Sequence, residues 1–145
     1  MKSLVMGLVL AISSYSVAGV LPLQAQQSVE GTDTDLVLVD ASGMSLYIFT
    51  PDKPDLSTCK GSCIKAWPAV TLTPEEVEKV KASKTFGVIT RTDGQNQLTL
   101  DHRPLYYYVG DEKAGDRTGQ SIGGVWFLLK AGFSIKDDSS NQPTE

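Results

Sequence analysis

The sequence predicts an all-β domain with small α content, built as two pseudo-repeated antiparallel β units with one short surface helix between them. Three observations carry this. Short runs rich in β-branched and aromatic residues recur between turn residues, from LVLVD at 36–40 to VWFLL at 125–129. A single segment, TPEEVEKVKASK at 73–84, has the composition and caps of a helix. The chain also spells nearly the same strand twice, LYIFTPD at 46–52 and LYYYVGD at 105–111.

Taken in order, the chain opens with MKSLVMGLVLAISSYSVAGVLPLQAQQ, one lysine before an apolar stretch that ends at a small residue. This is the pattern of a secretory signal peptide over residues 1–25, cut after Ala25. The competing reading is a membrane anchor. Ser13, Ser14, Tyr15, Ser16 and Pro22 interrupt the run and leave it short of the ~20 apolar residues that a span needs. Residues 26–34 form a flexible segment. Residues 35–136 are a single β domain of two pseudo-repeats, 35–70 and 87–130, joined through the helix at 73–84. KDDSSNQPTE, polar and without apolar period, is a disordered tail over 137–145.

Within the domain, LVLVD turns at ASG into MSLYIF, which makes a hairpin. GVITR and QLTL flank TDGQ, whose Asp93-Gly94 pair is a strong hairpin turn signal. Asp101, His102 and Arg103 make a tight turn into PLYYYV, where Pro104 lacks a ladder donor and should begin its strand. VWFLL supplies another strand, and FSI at 133–135 a short last one. In the helix, Thr73 is the N-cap, Pro74 sits in the first turn, and Glu76 completes a capping box. Glutamates at its start and lysines towards its end complement the dipole, while Val77 and Val80 give a thin apolar stripe.

Sliding residue 46 onto residue 105, a shift of 59 positions, places Tyr47 on Tyr106, Phe49 on Tyr108, Asp52 on Asp111 and Trp67 on Trp126. The only two tryptophans of the chain are therefore in register with the two LY strands. In each strand alternate side chains face opposite sides, so Leu46 and Ile48 oppose Tyr47 and Phe49, and both faces are apolar enough to be covered. Each aspartate follows its strand where it can accept bonds from turn amides, and a buried tyrosine hydroxyl needs a partner, for which its own repeat's aspartate is a candidate. The Tyr-x4-Asp pattern reads as a folding signature that pins a loop, with a binding role for these aromatics as the alternative.

These residues resemble a known family. The Tyr47-xxxx-Asp52 and Tyr106-xxxx-Asp111 spacings, with STCKGSCIKAWP in the first copy and GDRTGQ and GGVWF in the second, are similar to the bacterial secreted-repeat family of predicted lipoproteins with a YxFxxD motif. The resemblance covers roughly residues 35–131. It implies an exported protein, often lipid-anchored in the family, without an established biochemical activity. Many members carry a lipobox cysteine, and no cysteine follows the apolar leader here. Export is thus expected, to the periplasm or the outside of the cell, without a stable membrane anchor after cleavage.

The formal net charge of -4 becomes one unit more negative when Lys2 leaves with the leader. An acidic chain without clustered Lys and Arg argues against nucleic acid as a partner. Both cysteines lie in CKGSC, and in an oxidising compartment Cys59 and Cys63 are expected to pair as a disulfide, with a metal or redox pair as the alternative. His102, the only histidine, could join Cys59, Cys63 or Met44 at a copper or haem iron, although its DHRP setting equally suits an exposed turn. Asp52 and Asp55, or Asp111, Glu112 and Asp116, supply oxygen-rich loops but lack calcium-loop spacing. No nucleophile signature is present, and nothing fixes the separation of a carboxylate pair for acid and base work.

The reading is an exported, non-catalytic binding or interaction module for an unidentified small molecule or protein, with no cofactor expected. Its candidate motif residues are Tyr47, Phe49, Asp52, Trp67, Tyr106, Tyr108, Asp111 and Trp126. The alternative is a periplasmic redox, metal or haem accessory protein using Cys59, Cys63 and His102. A weaker alternative, an accessory role in bacterial alkane catabolism, comes only from association with the family, and no residue supports it.

Overall fold

The computed structural model describes residues 19–26 and 36–130. Expectations for the rest of the leader, the segment 27–35, the FSI strand and the polar tail lie outside the described residues. Among the described residues no helix is long and apolar enough to cross a membrane.

Short antiparallel strands dominate, in three small sheets. β1 (Gln24–Gln26) pairs with β2 (Val37–Val39). β3 (Tyr47–Phe49) pairs with β7 (Trp126–Leu128), joining the first repeat to the end of the second. β4 (Phe86–Thr90), β5 (Asn96–Leu100) and β6 (Arg103–Pro104) form a meander. Single bridges stitch the sheets together, Tyr47 to Tyr106, Ala69 to Tyr106 and Thr71 to Gln97. The all-β reading holds, and β1 adds a strand before the first repeat, across the expected cleavage point at Ala25.

The hairpins form for the local reasons anticipated. Asp40 Oδ1 accepts the amides of Ser42 and Met44, and the Asp40 amide closes the turn on the Met44 carbonyl. At the second hairpin Asp93 Oδ1 takes the Gln95 amide, and Gly94 adopts φ 85°, which a glycine supplies without a Cβ penalty. Asp101 and His102 both have positive φ, making a tight two-residue turn between β5 and β6. Pro104 ends the two-residue β6 instead of opening a longer strand. Residues 105–108 follow without a regular ladder of their own, and a turn begins at Val109. The Leu105 amide still bonds the Leu98 carbonyl, and beyond it the bonds alternate between Tyr47 on one side and residues 66–70 on the other, through pairs such as Tyr107 N–H to the Pro68 carbonyl.

Two helices lie between the repeats' strands where one was expected. The anticipated helix is α2 (Pro74–Lys81), capped by Thr73, whose hydroxyl accepts the Glu76 amide at 3.3 Å. The extra one, α1 (Ser62–Ala66), is a five-residue helix that starts at the end of the CKGSC loop, and a 3-10 turn at Ile122–Gly124 occupies the matching place in the second repeat. Both are too short to leave an apolar period in the sequence. The capping box is only half formed, because the Glu76 carboxylate turns inward to the Val20 amide at 3.0 Å.

Alternation along the strands sorts the interior into two cores. Leu46, Ile48, Leu105 and Leu129 join Val70, Leu98 and Val80 in an aliphatic core under α2. Tyr47, Tyr106, Trp126 and Leu128 join Trp67, Val37 and Cys59 in an aromatic core on the other face. Both faces of the strand layer are covered, which is why its strands lack the polar face of an ordinary half-exposed sheet.

Candidate functional site

The repeated motif meets itself at the centre of the aromatic core. Tyr47 and Tyr106 exchange both backbone bonds, Tyr47 N–H to the Tyr106 carbonyl at 2.8 Å and the reverse at 3.0 Å. An antiparallel exchange of this kind relates two equivalent residues by a local two-fold axis. Each ring consequently leaves its own strand and reaches over the opposite repeat. Tyr47 Oη donates to Asp111 Oδ2 at 2.6 Å, and Tyr106 Oη donates to Asp52 Oδ2 at 2.6 Å. The expectation that each tyrosine bonds the aspartate of its own repeat is therefore corrected. The pairing is crossed, because the bridge aims each hydroxyl away from its own loop.

Each aspartate spends its other oxygen on its own loop. Asp52 Oδ1 accepts the amide and hydroxyl of Thr58, at 2.7 and 2.9 Å. Asp111 Oδ1 accepts those of Thr118, at 2.9 and 2.6 Å. One carboxylate thus fixes a loop and ties it to the other half. Burial pushes the Asp52 carboxyl above the usual carboxylate range, and the Thr58 amide and hydroxyl, the Tyr106 hydroxyl and the Arg91 charge offset part of this. Burial, reinforced by the aspartate each one faces, pushes the phenols of Tyr47 and Tyr106 far above their ordinary value.

The tryptophans stack face to face across the same axis, with centroids 3.9 Å apart and planes 3° from parallel. Tyr108 stacks outside Trp67 at 4.3 Å, and Phe49 outside Trp126 at 4.3 Å, so four rings form one pile. Tyr47 and Tyr106 meet Trp67 and Trp126 edge-on, at 5.3 and 5.1 Å. All eight motif residues are brought together. Both tyrosines are 0 % exposed and both tryptophans 5 %, so these four form a core and not a ligand face.

Sequence reasoning missed Arg91. Its guanidinium donates to Ser57 Oγ, Gln97 Oε1 and the Cys59 carbonyl, each at 2.8 Å, and Ser57 Oγ bonds Tyr106 Oη at 2.6 Å. This chain of bonds ties the disulfide loop to the brace on the first-repeat side. In the second repeat the corresponding contact is the Gly119 amide, which donates to Tyr47 Oη at 3.1 Å. A Cβ on Gly119 would lie 2.8 Å from both Trp67 and Tyr47. No spacing rule marks either residue, since both serve partners distant in sequence.

Cys59 and Cys63 form a disulfide with Cα atoms 5.3 Å apart, and Cys59 is buried. His102 lies elsewhere, in its turn, with Nδ1 2.8 Å from Asp55 Oδ2. Asp116 Oδ2 accepts the amides of Glu112 and Lys113. Among the described residues no three His, Cys, Asp or Glu side chains are grouped as a metal would need.

Neither a curated protein nor a solved structure matches the chain. A family model does match it, twice, over residues 32–71 and 87–130. These intervals coincide with the two units that the crossed Tyr–Asp bonds tie together. The chain belongs to the family described as a secreted repeat of unknown function, and it carries two copies of that repeat.

Proposed function

We propose that the protein works outside the cytoplasm as a non-catalytic binding or interaction module, without a cofactor. One observation supports this most directly. The groups of the repeated motif, the phenols of Tyr47 and Tyr106 and the carboxylates of Asp52 and Asp111, together with the two cysteine sulfurs, are spent on one another and on the loops they fix. The fold then serves as a rigid platform, and recognition falls to the loops around it.

The contact surface we favour is the shallow groove of about 110 Å³ beside the disulfide loop, between residues 55–57 and 89–92. Leu56, 52 % exposed, and Ile89 give it an apolar floor, while Ser57, Thr90 and Lys60 offer polar handles. Apolar walls with a few polar groups in so small a groove suit one side chain of a peptide, or a fragment well below the size of an ordinary ligand. Arg91 and the disulfide hold the groove's two banks in place.

A fragment library screened by NMR, with amide shifts mapped onto the uniformly labelled protein, tests this. Shifts clustered on Leu56, Ile89 and Thr90 and lost in Leu56→Ser are expected. Hits that cluster elsewhere would remove the groove from the proposal, and conversion of any fragment would end the non-catalytic reading. The rival use of Cys59, Cys63 and His102 as metal or haem ligands requires the disulfide to open. Elemental analysis and a visible spectrum of the exported protein distinguish the two.

A further inference from the structure

Glu76 is the exception on α2. Its neighbours Glu75, Glu78 and Lys79 are exposed, whereas Glu76 is only 6 % exposed. Oε1 accepts the Val20 amide at 3.0 Å, and Oε2 is buried without a hydrogen-bond partner. A carboxylate oxygen left so is costly, and folded proteins seldom leave one without a reason. The Tyr107 hydroxyl supplies no partner to Glu76, since it donates to a second buried carboxylate, Asp40, at 2.7 Å.

The segment that covers Glu76 is an integral part of the domain. Val20 is buried, its carbonyl accepts the Ala41 amide at 2.9 Å, and Leu21 and Leu23 pack on the aliphatic core. Gln24, Ala25 and Gln26 then pair in register with Val39, Leu38 and Val37. A cut after Ala25 would strip all of this away except Gln26. The sequence offers another point. Ser16 and Ala18 place small residues third and first before the Ala18–Gly19 bond, after an apolar stretch of nine residues at 4–12, which is the small-x-small pattern of a leader cleavage site. At Ala25 the third position before the bond is Leu23.

We infer that the leader is removed between Ala18 and Gly19, and that the amino group so created pairs with the buried carboxylate of Glu76. Water adds across the amide under the action of a leader peptidase. The C–N bond breaks, Ala18 departs with a carboxylate, and the Gly19 nitrogen takes up a proton to become an ammonium. That nitrogen is bonded to a carbon already seated against Glu76, for a methyl group built on Gly19 would overlap Oε1. Glycine allows this approach without displacing the carboxylate. Cleavage thereby supplies the missing cation from the chain itself, and the domain completes its interior only after processing.

The test starts from the full chain expressed in a secreting bacterial host, with the exported protein identified by intact mass and N-terminal sequencing. A first residue of Gly19 is expected, while a start at Gln26, or a retained leader, overturns the inference. Acetylation of the guanidinium-unfolded, disulfide-intact protein at mildly acidic pH, where the exposed α-amine reacts ahead of lysines, followed by refolding, should lower the thermal midpoint by roughly 3–6 °C, the shift for the loss of one ordinary interaction in a domain of intermediate size. In Glu76→Gln the acetylated and free proteins should unfold together. An unchanged midpoint on acetylating the unsubstituted protein overturns the pairing. Should Glu76→Gln not fold, ¹⁵N titration of the Gly19 amine decides the matter: a value raised above the usual ~7.7–8.0 supports the pair, and an ordinary value overturns it.

Discussion

Replacing Tyr47 with phenylalanine removes a single oxygen, and the cost can be worked from the contacts that oxygen makes. Asp111 Oδ2 loses a 2.6 Å donor, and the Gly119 amide loses its acceptor at 3.1 Å, both in a buried setting. A hydrogen bond to a charged group contributes about 1.5–3 kcal/mol, and an orphaned buried amide costs about 1 kcal/mol or more. Tyr47→Phe should therefore destabilise by about 2–4 kcal/mol. Tyr106→Phe should cost less, about 1–2 kcal/mol, because Ser57 keeps Arg91 as a partner and Asp52 lies nearer the surface than Asp111. Urea unfolding with an unchanged slope measures both. The decisive readout is a pair of double-mutant cycles. Tyr47→Phe with Asp111→Asn should show coupling above about 1 kcal/mol, and Tyr47→Phe with Asp52→Asn should be additive to within about 0.5 kcal/mol. Stronger coupling of Tyr47 to Asp52 than to Asp111 would refute the crossed brace.

Three further outcomes are expected. The buried phenols of Tyr47, Tyr106 and Tyr107 have folded values raised above the ordinary ~10, so the stability they contribute is complete below pH ~10 and is lost as pH climbs towards the folded values. In an alkaline titration, tyrosinate absorbance from these three should accordingly appear only together with unfolding, and its appearance in the folded protein near pH ~10 would contradict their burial. Substituting Trp67 or Trp126 by alanine should cost a similar ~3–5 kcal/mol in chemical denaturation, since each is equally buried in the same stack, and a twofold disparity would argue against the equivalence of the halves. Exchanging both cysteines for serine should lower stability by about 2 kcal/mol, the entropy of so short a loop, and leave a folded domain. Reductant, but not chelator, should reproduce this in calorimetry, and a chelator effect would favour the metal reading.

Much of this architecture is legible in the residues alone. A shift of 59 positions aligns Tyr, Asp and Trp together. Their counterparts do meet across one axis, because the aromatic face of a repeated unit finds its best partner in its own copy. Strand alternation correctly assigns Leu46 and Tyr47 to opposite faces. The crossing of the Tyr–Asp bonds is not legible, since Tyr-x4-Asp spacing is the same whether the hydroxyl reaches its own loop or the other one. The capping-box pattern places Glu76 at the helix start, yet it shares the inward face with Val80 at the i, i+4 interval. The influence that overrides the cap is tertiary, the covering segment at Val20. Arg91 gives no local sign because its three partners are 6, 32 and 34 residues away.

The crossed bonds also bear on how such a repeat could exist singly. Each half offers a tyrosine that it does not satisfy itself and an aspartate that answers the other half's tyrosine. The contacts are those of a self-complementary interface between two copies, in which the bond that residue i gives to j is returned by j to i. The peptide between the repeats supplies none of the crossed side-chain bonds, so its contribution to them is proximity, the high effective concentration of one half around the other. A chain with one repeat would meet the same demand only by finding a second molecule, and fusion of two copies converts an association that depends on protein concentration into one that does not.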